Sequence, residues 1–211
     1  MLHELRTYTA LPGAIPDVLK ANEEVGRKVR GDDYGVLEGY WYTEMGPLNQ
    51  VMHLWRFDSF EERARLRGEL GKVEGWTKEY VPRLRPLLTA QSTRFLINTK
   101  GITAPETEGN FYEFRNYRVK PGAAKPWMDA FLEVMPTREK HSRNVGAWIT
   151  EGPNPNEVCH IWAYKSLQER AETRDGVAQE DAWKAFVEKG RRYLEEMHST
   201  MLMPASFSPL R

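Results

Sequence analysis

The sequence predicts an α+β protein built from two tandem ferredoxin-like (βαββαβ) repeats that pack sheet to sheet, like a dimer within one chain. The first observation is duplication: Glu4-Leu5-Arg6-Thr7-Tyr8 returns 109 residues later as Glu113-Phe114-Arg115-Asn116-Tyr117. Asn49–Trp55 likewise returns 107 residues later as Asn156–Trp162. A fixed period this long indicates two copies of one structural unit. The second observation is the order of local patterns, which is the same in both copies.

Each repeat begins with a strand and a helix. Residues 2–9 alternate in polarity and end at Leu11-Pro12-Gly13, which predicts a strand followed by a turn. Apolar residues then fall at helical spacing from Ile15 to Val29 in the first copy, and from Trp127 to Met135 in the second. These segments predict the first strand and the first helix of each repeat.

The remaining elements of the unit are a hairpin, a helical segment and a last strand. Residues 35–44 and 49–57 are rich in β-branched and aromatic side chains, and the Gly-Pro-Leu-Asn between them predicts the hairpin turn. Ser59 and Ser166 each stand three residues before a glutamate, which is typical of a helix N-cap. We therefore predict helical segments over residues 60–88, divided near Gly71 and Gly75, and 167–196, followed by strands over 91–97 and 198–203.

This order defines the domains. We predict repeat 1 over residues 1–97, a polar linker over 98–109 and repeat 2 over 110–211. The unit is the split βαβ arrangement, an antiparallel sheet with both helices on one face. Because such a sheet leaves its other face bare, we expect the two copies to cover those faces by forming one α+β barrel with the helices outside.

Composition excludes several classes of function. The chain has 211 residues, with 40% hydrophobic and 28% charged residues and equal numbers of acidic and basic side chains. No net charge draws it to nucleic acid, and its apolar runs fall short of the ~20 residues of a membrane-spanning helix. The first repeat begins at the first residues of the sequence, so we expect no signal or transit peptide. The single cysteine, Cys159, can form no disulfide within the chain, which suits a reducing compartment. We expect a cytoplasmic protein that binds no nucleic acid and does not insert into membranes.

Strand alternation selects a candidate pocket. One face of the first and third strands drifts among hydrophobic residues, whereas the other face is kept identical between the copies. We expect this second face to point away from the helices into the barrel interior. The residues are Glu4, Arg6, Tyr8, His53 and Trp55, repeated as Glu113, Arg115, Tyr117, His160 and Trp162.

These residues allow more than one role. A few polar groups among aromatic side chains are typical of a small-molecule site, so we predict a small aromatic or hydrophobic ligand. In a cofactor-independent enzyme, glutamate or histidine would act as the general base and arginine would hold a developing enolate or phenolate. The alternative is a non-catalytic scaffold or interaction protein whose glutamate–arginine pairs are structural. Both hypotheses remain open, as does assembly into a homo-oligomer.

Metal and cofactor chemistry has little support in the sequence. The chain has no glycine-rich phosphate loop, nucleophile elbow, CxxC pair or HExxH motif. His53 and His160 come from different copies, so joint metal ligation is not expected. We predict no metal and no cofactor, with haem on His53 or His160 as a minority alternative.

The motifs resemble those of the NIPSNAP family. The resemblance rests on the E-L-R-x-Y-x-x-x-P-G from Glu4 to Gly13, the G-x-W-x-T-E from Gly39 to Glu44 and the L-N-x-V-x-H-L-W from Leu48 to Trp55. It covers essentially the whole chain, twice. It implies an intramolecular dimeric α/β barrel, a superfamily whose members include monooxygenases acting on aromatic substrates. It implies no particular reaction, because the NIPSNAP family has no settled biochemical activity.

Overall fold

The computed structural model describes all 211 residues, and repeat 1 has the predicted element order. Short π-helical and 3-10 turns interrupt its helices at Asn22–Gly26, Gly75–Tyr80 and Arg85–Leu87. The elements are β1 Leu2–Ala10, α1 Ile15–Ala21, α2 Arg27–Arg30, β2 Val36–Met45, β3 Gln50–Phe57, α3 Phe60–Leu70, α4 Val81–Leu84 and β4 Leu88–Lys100.

Repeat 2 follows the same order with longer, more regular helices. Its second helical segment is divided at Glu180, whereas the sequence predicts one continuous segment over 167–196. A 3-10 turn at Arg191–Tyr193 leads into the last strand. The elements are β5 Phe111–Val119, α5 Ala124–Arg138, β6 Asn144–Gly152, β7 Glu157–Tyr164, α6 Leu167–Gln179, α7 Asp181–Gly190 and β8 Leu194–Pro204.

The first and third strands of each repeat are antiparallel neighbours. Arg6 lies opposite His53 in the β1–β3 ladder, and Arg115 lies opposite His160 in the β5–β7 ladder. The two repeats therefore keep the same register at the candidate residues. Hydrogen-bonded strands follow one another in the order β1-β3-β2-β8-β5-β7-β6-β4, and this series closes into a barrel. The predicted α+β barrel of βαββαβ repeats is confirmed.

Local motifs of the two repeats have clear structural reasons. The glycine of each G-x-W motif allows the tryptophan ring two residues later to lie against the backbone, since a Cβ would meet that ring at 2.0 Å at Gly39 and 2.4 Å at Gly146. The side chains of Ser59 and Ser166 accept hydrogen bonds from the N–H groups three residues later and cap α3 and α6. The predicted N-caps are thus confirmed.

Contacts divide the chain into two compact units. One comprises Met1–Phe95 with Pro204–Leu210, and the other comprises Leu96–Met203 with Arg211. Strand β4 continues to Lys100, three residues into the segment predicted as linker, and residues 101–110 contain no helix or strand. None of the helices has the length and apolar character that crossing a membrane requires.

The candidate residues lie on the opposite side of the sheet from the one predicted. Tyr8 and Trp55 belong to a cluster with Val18 of α1, Leu66 of α3 and other helical residues of their own repeat. The matching cluster in repeat 2 contains Tyr117 and Trp162 together with several side chains of α5. The expectation that this face points away from the helices is wrong.

The reason for this error is that apolar character does not distinguish the two faces. Leu5 and Leu54, on the face predicted to lie under the helices, are 1% and 0% exposed. Cys159, on the hydrophobic face of β7, is likewise buried on the side away from the helices, near Thr150 and Glu157. Both faces are buried, so polarity alone could not show which one the helices cover.

Candidate functional site

A buried carboxylate anchors the sheet to the helices in repeat 2. Glu113 is fully buried and accepts four hydrogen bonds, from Arg115 at 3.2 Å, Ser199 at 2.6 Å and Arg170 of α6 at 2.8 and 3.1 Å. Burial alone would raise the pKa of Glu113, but the hydrogen bonds from Arg170 and Ser199 and the charge of Arg115 leave it below its ordinary value. The carboxylate is therefore ionised and fully engaged.

Repeat 1 contains the same arrangement with fewer contacts. Glu4 is fully buried and accepts from Arg6 at 2.7 Å and from Arg63 of α3 at 2.6 Å, both at Oε1. Its Oε2 has no hydrogen-bond partner. Burial opposes ionisation of Glu4, yet the hydrogen bond from Arg63 and the charge of Arg6 still lower its pKa. Arg6 also donates from Nε to the hydroxyl of Tyr8 at 2.7 Å.

Each interior histidine is fixed by the tryptophan two residues later. Trp162 Nε1 donates to His160 Nδ1 at 2.6 Å, and Trp55 Nε1 donates to His53 Nδ1 at 2.5 Å. An indole N–H can only donate, so each Nδ1 is an acceptor and the proton of the neutral imidazole lies on Nε2. Both Nε2 atoms are buried without a hydrogen-bond partner.

Both histidines are neutral. Burial lowers the pKa of His160 well below its usual value, and the charges of Arg115, Arg138 and Arg174 lower it further. Burial has the same effect on the pKa of His53. Each imidazole therefore presents a fixed Nε2–H donor. The ring of Tyr117 meets His160 edge-on with centroids 5.1 Å apart, which holds the imidazole in place.

Helical arginines cover the tryptophans of the candidate set. The guanidinium of Arg138 lies 4.1 Å from the ring centroid of Trp162, and that of Arg30 lies 3.2 Å from the ring centroid of Trp55. Arg138 is almost fully buried, and its hydrogen bonds run to neutral groups, Ser142 Oγ at 2.6 Å and Tyr164 Oη at 3.1 Å. Burial lowers the pKa of Arg138, but a guanidinium stays charged in proteins.

Between the sheet and the helices, repeat 2 contains a cavity of about 310 Å³. Four of the five residues predicted for this repeat line it, and Glu113 stands behind them. The walls combine aromatic rings with arginines and contain no aspartate or glutamate. The lining residues are Arg115, Tyr117, Trp127, Phe131, Arg138, His160, Trp162, Arg174, Trp183, Phe186, Val187, Gly190, Arg191, Leu194 and Met197.

In repeat 1 a tyrosine divides the corresponding space. Tyr80 donates to Asn22 Oδ1 at 2.6 Å and lines two separate cavities, one of about 20 Å³ beside His53 and one of about 200 Å³ beside Arg6. The ring of Tyr80 can lie there because Gly26 has no side chain, as a Cβ at that position would meet the ring at 2.6 Å. The structure therefore separates the candidate residues of repeat 1 and brings those of repeat 2 together around one cavity.

Sequence reasoning missed the helical half of the site. Trp183 and Met197 lie outside the candidate set, but both line the cavity, and Met197 is 52% exposed. Arg174 was overlooked although Arg67 stands at the same 107-residue offset in repeat 1. Identity between the repeats on their helices, treated as carefully as identity on their strands, would have found Arg174.

The site does not fit haem. An iron ligand at Nε2 of His160 would need its lone pair there, which moves the ring proton to Nδ1. Nδ1 would then carry a hydrogen and could no longer accept the hydrogen bond that Trp162 Nε1 now donates to it at 2.6 Å. Two N–H groups would face each other with no acceptor between them. No group of three or more histidine, cysteine or acidic side chains in the chain is placed to hold a metal ion.

The amino-acid sequence is similar to those of one protein family. The NIPSNAP family model matches residues 3–101 and again residues 112–209. Protein NipSnap homolog 3B of Homo sapiens is 30% identical over 217 residues, covering 99% of this chain and 85% of the relative.

Two solved structures share the fold along almost the whole chain. A protein of Lactobacillus acidophilus, provisionally described as a monooxygenase, is similar with a TM-score of 0.68 and 15% identity over 97% of this chain and 94% of its own. A protein of Fusobacterium nucleatum with the same description gives 0.70 and 12% over 97% and 92%. At these identities they show the fold alone. The two family-model matches and the relative over nearly full length decide the assignment, and the chain belongs to the NIPSNAP family.

Proposed function

We propose that the protein binds a small, largely aromatic molecule in the cavity of repeat 2. The observation that carries the proposal is the cavity itself, about 310 Å³ and walled mostly by aromatic and aliphatic side chains. Ligand pockets in proteins start at about 300 Å³ and combine apolar walls with a few placed polar groups. The ring of Trp127 stacks on Phe131 with centroids 4.9 Å apart and gives a bicyclic ligand a broad apolar surface.

A binding role fits the polar groups better than general base catalysis. His160 already carries its proton on Nε2, and its Nδ1 is occupied by the Trp162 N–H. Glu113 is held ionised by four hydrogen bonds, and a low pKa makes it a weak base. The roles of general base suggested for these residues by the sequence are therefore not part of the proposal. A monooxygenase-type reaction in this cavity would need a general base other than His160 or Glu113.

A purely structural role accounts for repeat 1 but leaves repeat 2 unexplained. In repeat 1 Tyr80 fills the space in front of His53 and leaves about 20 Å³ there. If the polar residues served packing alone, repeat 2 would be expected to be closed in the same way. The open cavity beside an equally ordered set of side chains favours ligand binding.

The test is calorimetric titration of 2-naphthoate and of its neutral isostere 2-naphthamide. A matched pair of variants locates the binding. Gly190→Leu places a side chain into the cavity, where the new Cβ meets Trp127 Nε1 at an ordinary 3.5 Å, so the fold should tolerate it. Gly68→Leu is the control, since a Cβ at this exposed helical position of repeat 1 has open space around it.

We expect the wild type to bind at least one of the two compounds, and Gly68→Leu to bind that compound with the affinity of the wild type. Gly190→Leu should weaken that binding about tenfold or more, because an overfilled apolar site rejects its ligand. Melting temperatures of the variants report whether the fold is kept. Absence of heat from both compounds, or equal binding by a folded Gly190→Leu, would refute the proposed site.

A further inference from the structure

We propose that the ligand of this cavity is an aromatic oxyanion, an aromatic carboxylate in the simplest case, whose charged group accepts hydrogen bonds from His160 Nε2 and Arg115 Nε. The inference rests on the proposed function and specifies its ligand class.

The buried polar atoms of the cavity wall that have no hydrogen-bond partner are all donors. His160 is 3% exposed, and its Nε2 has no hydrogen-bond partner in the chain. Arg115 uses Nη1 for Glu113, while its buried Nε has no partner. A buried donor left without an acceptor costs free energy, so a ligand that supplies acceptors there is favoured. A carboxylate offers acceptors only, and it can serve two donors at once.

Positive charge is in excess around the cavity. Four arginines line the cavity, from β5, α5, α6 and the turn after α7, and no acidic side chain lines it. Arg115 is neutralised by Glu113, which Arg170 also shares. Arg191 has Glu188 at 3.0 Å on the surface. Arg138 is bonded to neutral hydroxyls, and Arg174 has no ion pair. Two cations therefore face the cavity without a counter-charge.

The tautomer of His160 also favours an anion. The Trp162 N–H holds Nδ1 as an acceptor and keeps the proton on Nε2. This orientation of the imidazole suits an incoming oxygen that bears negative charge, and it opposes a ligand that presents a donor such as an ammonium group. Cationic aromatic ligands are excluded by the same donors and by the arginines.

Repeat 1 offers a built-in comparison. His53 and its tryptophan have the same geometry, but Tyr80 closes the space in front of the imidazole and only about 20 Å³ remains. Arg67 occupies in repeat 1 the position that Arg174 has in repeat 2, 107 residues later. Arg67 lines both cavities of repeat 1, but the larger one, of about 200 Å³, does not contain His53, and Arg6 Nε there already donates to Tyr8. The same cation thus stands beside a histidine and arginine pair that is open to a ligand only in repeat 2. A substitution at Arg67 is therefore the matched control for one at Arg174.

The experiment compares the anion with its neutral isostere in three proteins. Calorimetry with 2-naphthoate and 2-naphthamide gives the ratio of their affinities in the wild type, Arg174→Gln and Arg67→Gln. Arg174 is an exposed residue of α6 without an ion pair, so its replacement should leave the melting temperature unchanged. We expect the wild type to prefer naphthoate by about tenfold or more, which is typical of a charge-assisted hydrogen bond.

Arg174→Gln should reduce this preference several-fold by weakening naphthoate binding alone, and Arg67→Gln should leave it unchanged. A second readout is direct: naphthoate should shift the Nε2–H resonance of His160 in a histidine-selective ¹H–¹⁵N spectrum, whereas naphthamide should shift it less. Equal affinities for both compounds would overturn the oxyanion inference and leave the aromatic site intact. Binding of neither would overturn both, and an equal effect of both arginine variants would place the anion outside the cavity.

Discussion

Replacing Glu113 by glutamine tests how the buried ion pair holds α6 on the sheet. The carboxylate is fully buried, and it is the counter-charge of Arg115 and Arg170, whose side chains are 12% and 23% exposed. Glutamine keeps the shape but removes the charge, and its amide nitrogen cannot accept the second hydrogen bond from Arg170. Breaking a buried pair from one side costs about 3–5 kcal/mol. Because water reaches Arg170, we expect about 3 kcal/mol for Glu113→Gln.

Repeat 1 provides the internal comparison. Glu4 accepts two hydrogen bonds where Glu113 accepts four, and its Oε2 has no partner. An amide nitrogen in place of Oε2 loses no accepted hydrogen bond at Glu4 and one at Glu113, from Arg170 Nε. We therefore expect Glu4→Gln to cost about 1 kcal/mol less than Glu113→Gln, since one net hydrogen bond is worth about that much. The control is Asp129→Asn, which breaks an exposed pair with Lys125 and should cost less than about 0.5 kcal/mol.

The assay is urea unfolding followed by tryptophan fluorescence and circular dichroism at neutral pH. Equal slopes with shifted midpoints would show that the changes lie in stability. A cost for Glu113→Gln as small as that of Asp129→Asn would refute the account of a desolvated ion pair. A larger cost for Glu4→Gln than for Glu113→Gln would refute the assignment of stability to the number of hydrogen bonds.

Two further predictions concern repeat 1 and acid stability. Tyr80→Val should join the two small cavities of repeat 1 and lower the melting temperature. It should also create a second, weaker naphthoate site, so that calorimetry gives a stoichiometry of two. A folded Tyr80→Val variant that still binds one naphthoate would contradict this prediction. His3, His53 and His160 all have pKa values lowered by burial, that of His3 to about 4, so the unfolded chain binds protons at these positions that the folded chain does not. The free energy of unfolding should have its full value above pH about 6.5 and should fall by about 1.4 kcal/mol per histidine at pH about 5.5, or about 4 kcal/mol in total. His160→Gln should reduce this loss, whereas His198→Asn, at an exposed histidine, should leave it unchanged. A free energy of unfolding that does not change between these pH values would contradict the account.

The fold could be predicted because the chain repeats itself. Two copies with one order of strand, turn and helix signals gave each element twice, so weak local patterns supported one another. The glycine and tryptophan of the G-x-W motif and the serine caps Ser59 and Ser166 could be placed with the correct elements because they act locally. Strand alternation likewise grouped the ten candidate residues correctly onto one face of each sheet.

The side of the sheet and the difference between the repeats could not be predicted in the same way. The charged face lies under the helices because Arg63 and Arg170 reach back from α3 and α6 to Glu4 and Glu113, contacts about 57–59 residues apart in sequence that no local pattern reports. The closure of repeat 1 depends on Tyr80 reaching Asn22, again a contact between distant helices. Long-range side-chain contacts decide these features, and periodicity contains no information about them.

Repeat 2 is proposed to hold an aromatic oxyanion beneath its helices. A crystal structure of the protein grown with 2-naphthoate tests it most directly. The account predicts the naphthalene ring among Trp127, Phe131 and Trp162, with carboxylate oxygens about 2.7–3.2 Å from His160 Nε2 and Arg115 Nε, and no ligand beside His53. An unfilled cavity at saturating naphthoate, or a ligand whose carboxylate points away from His160 toward solvent, would contradict it.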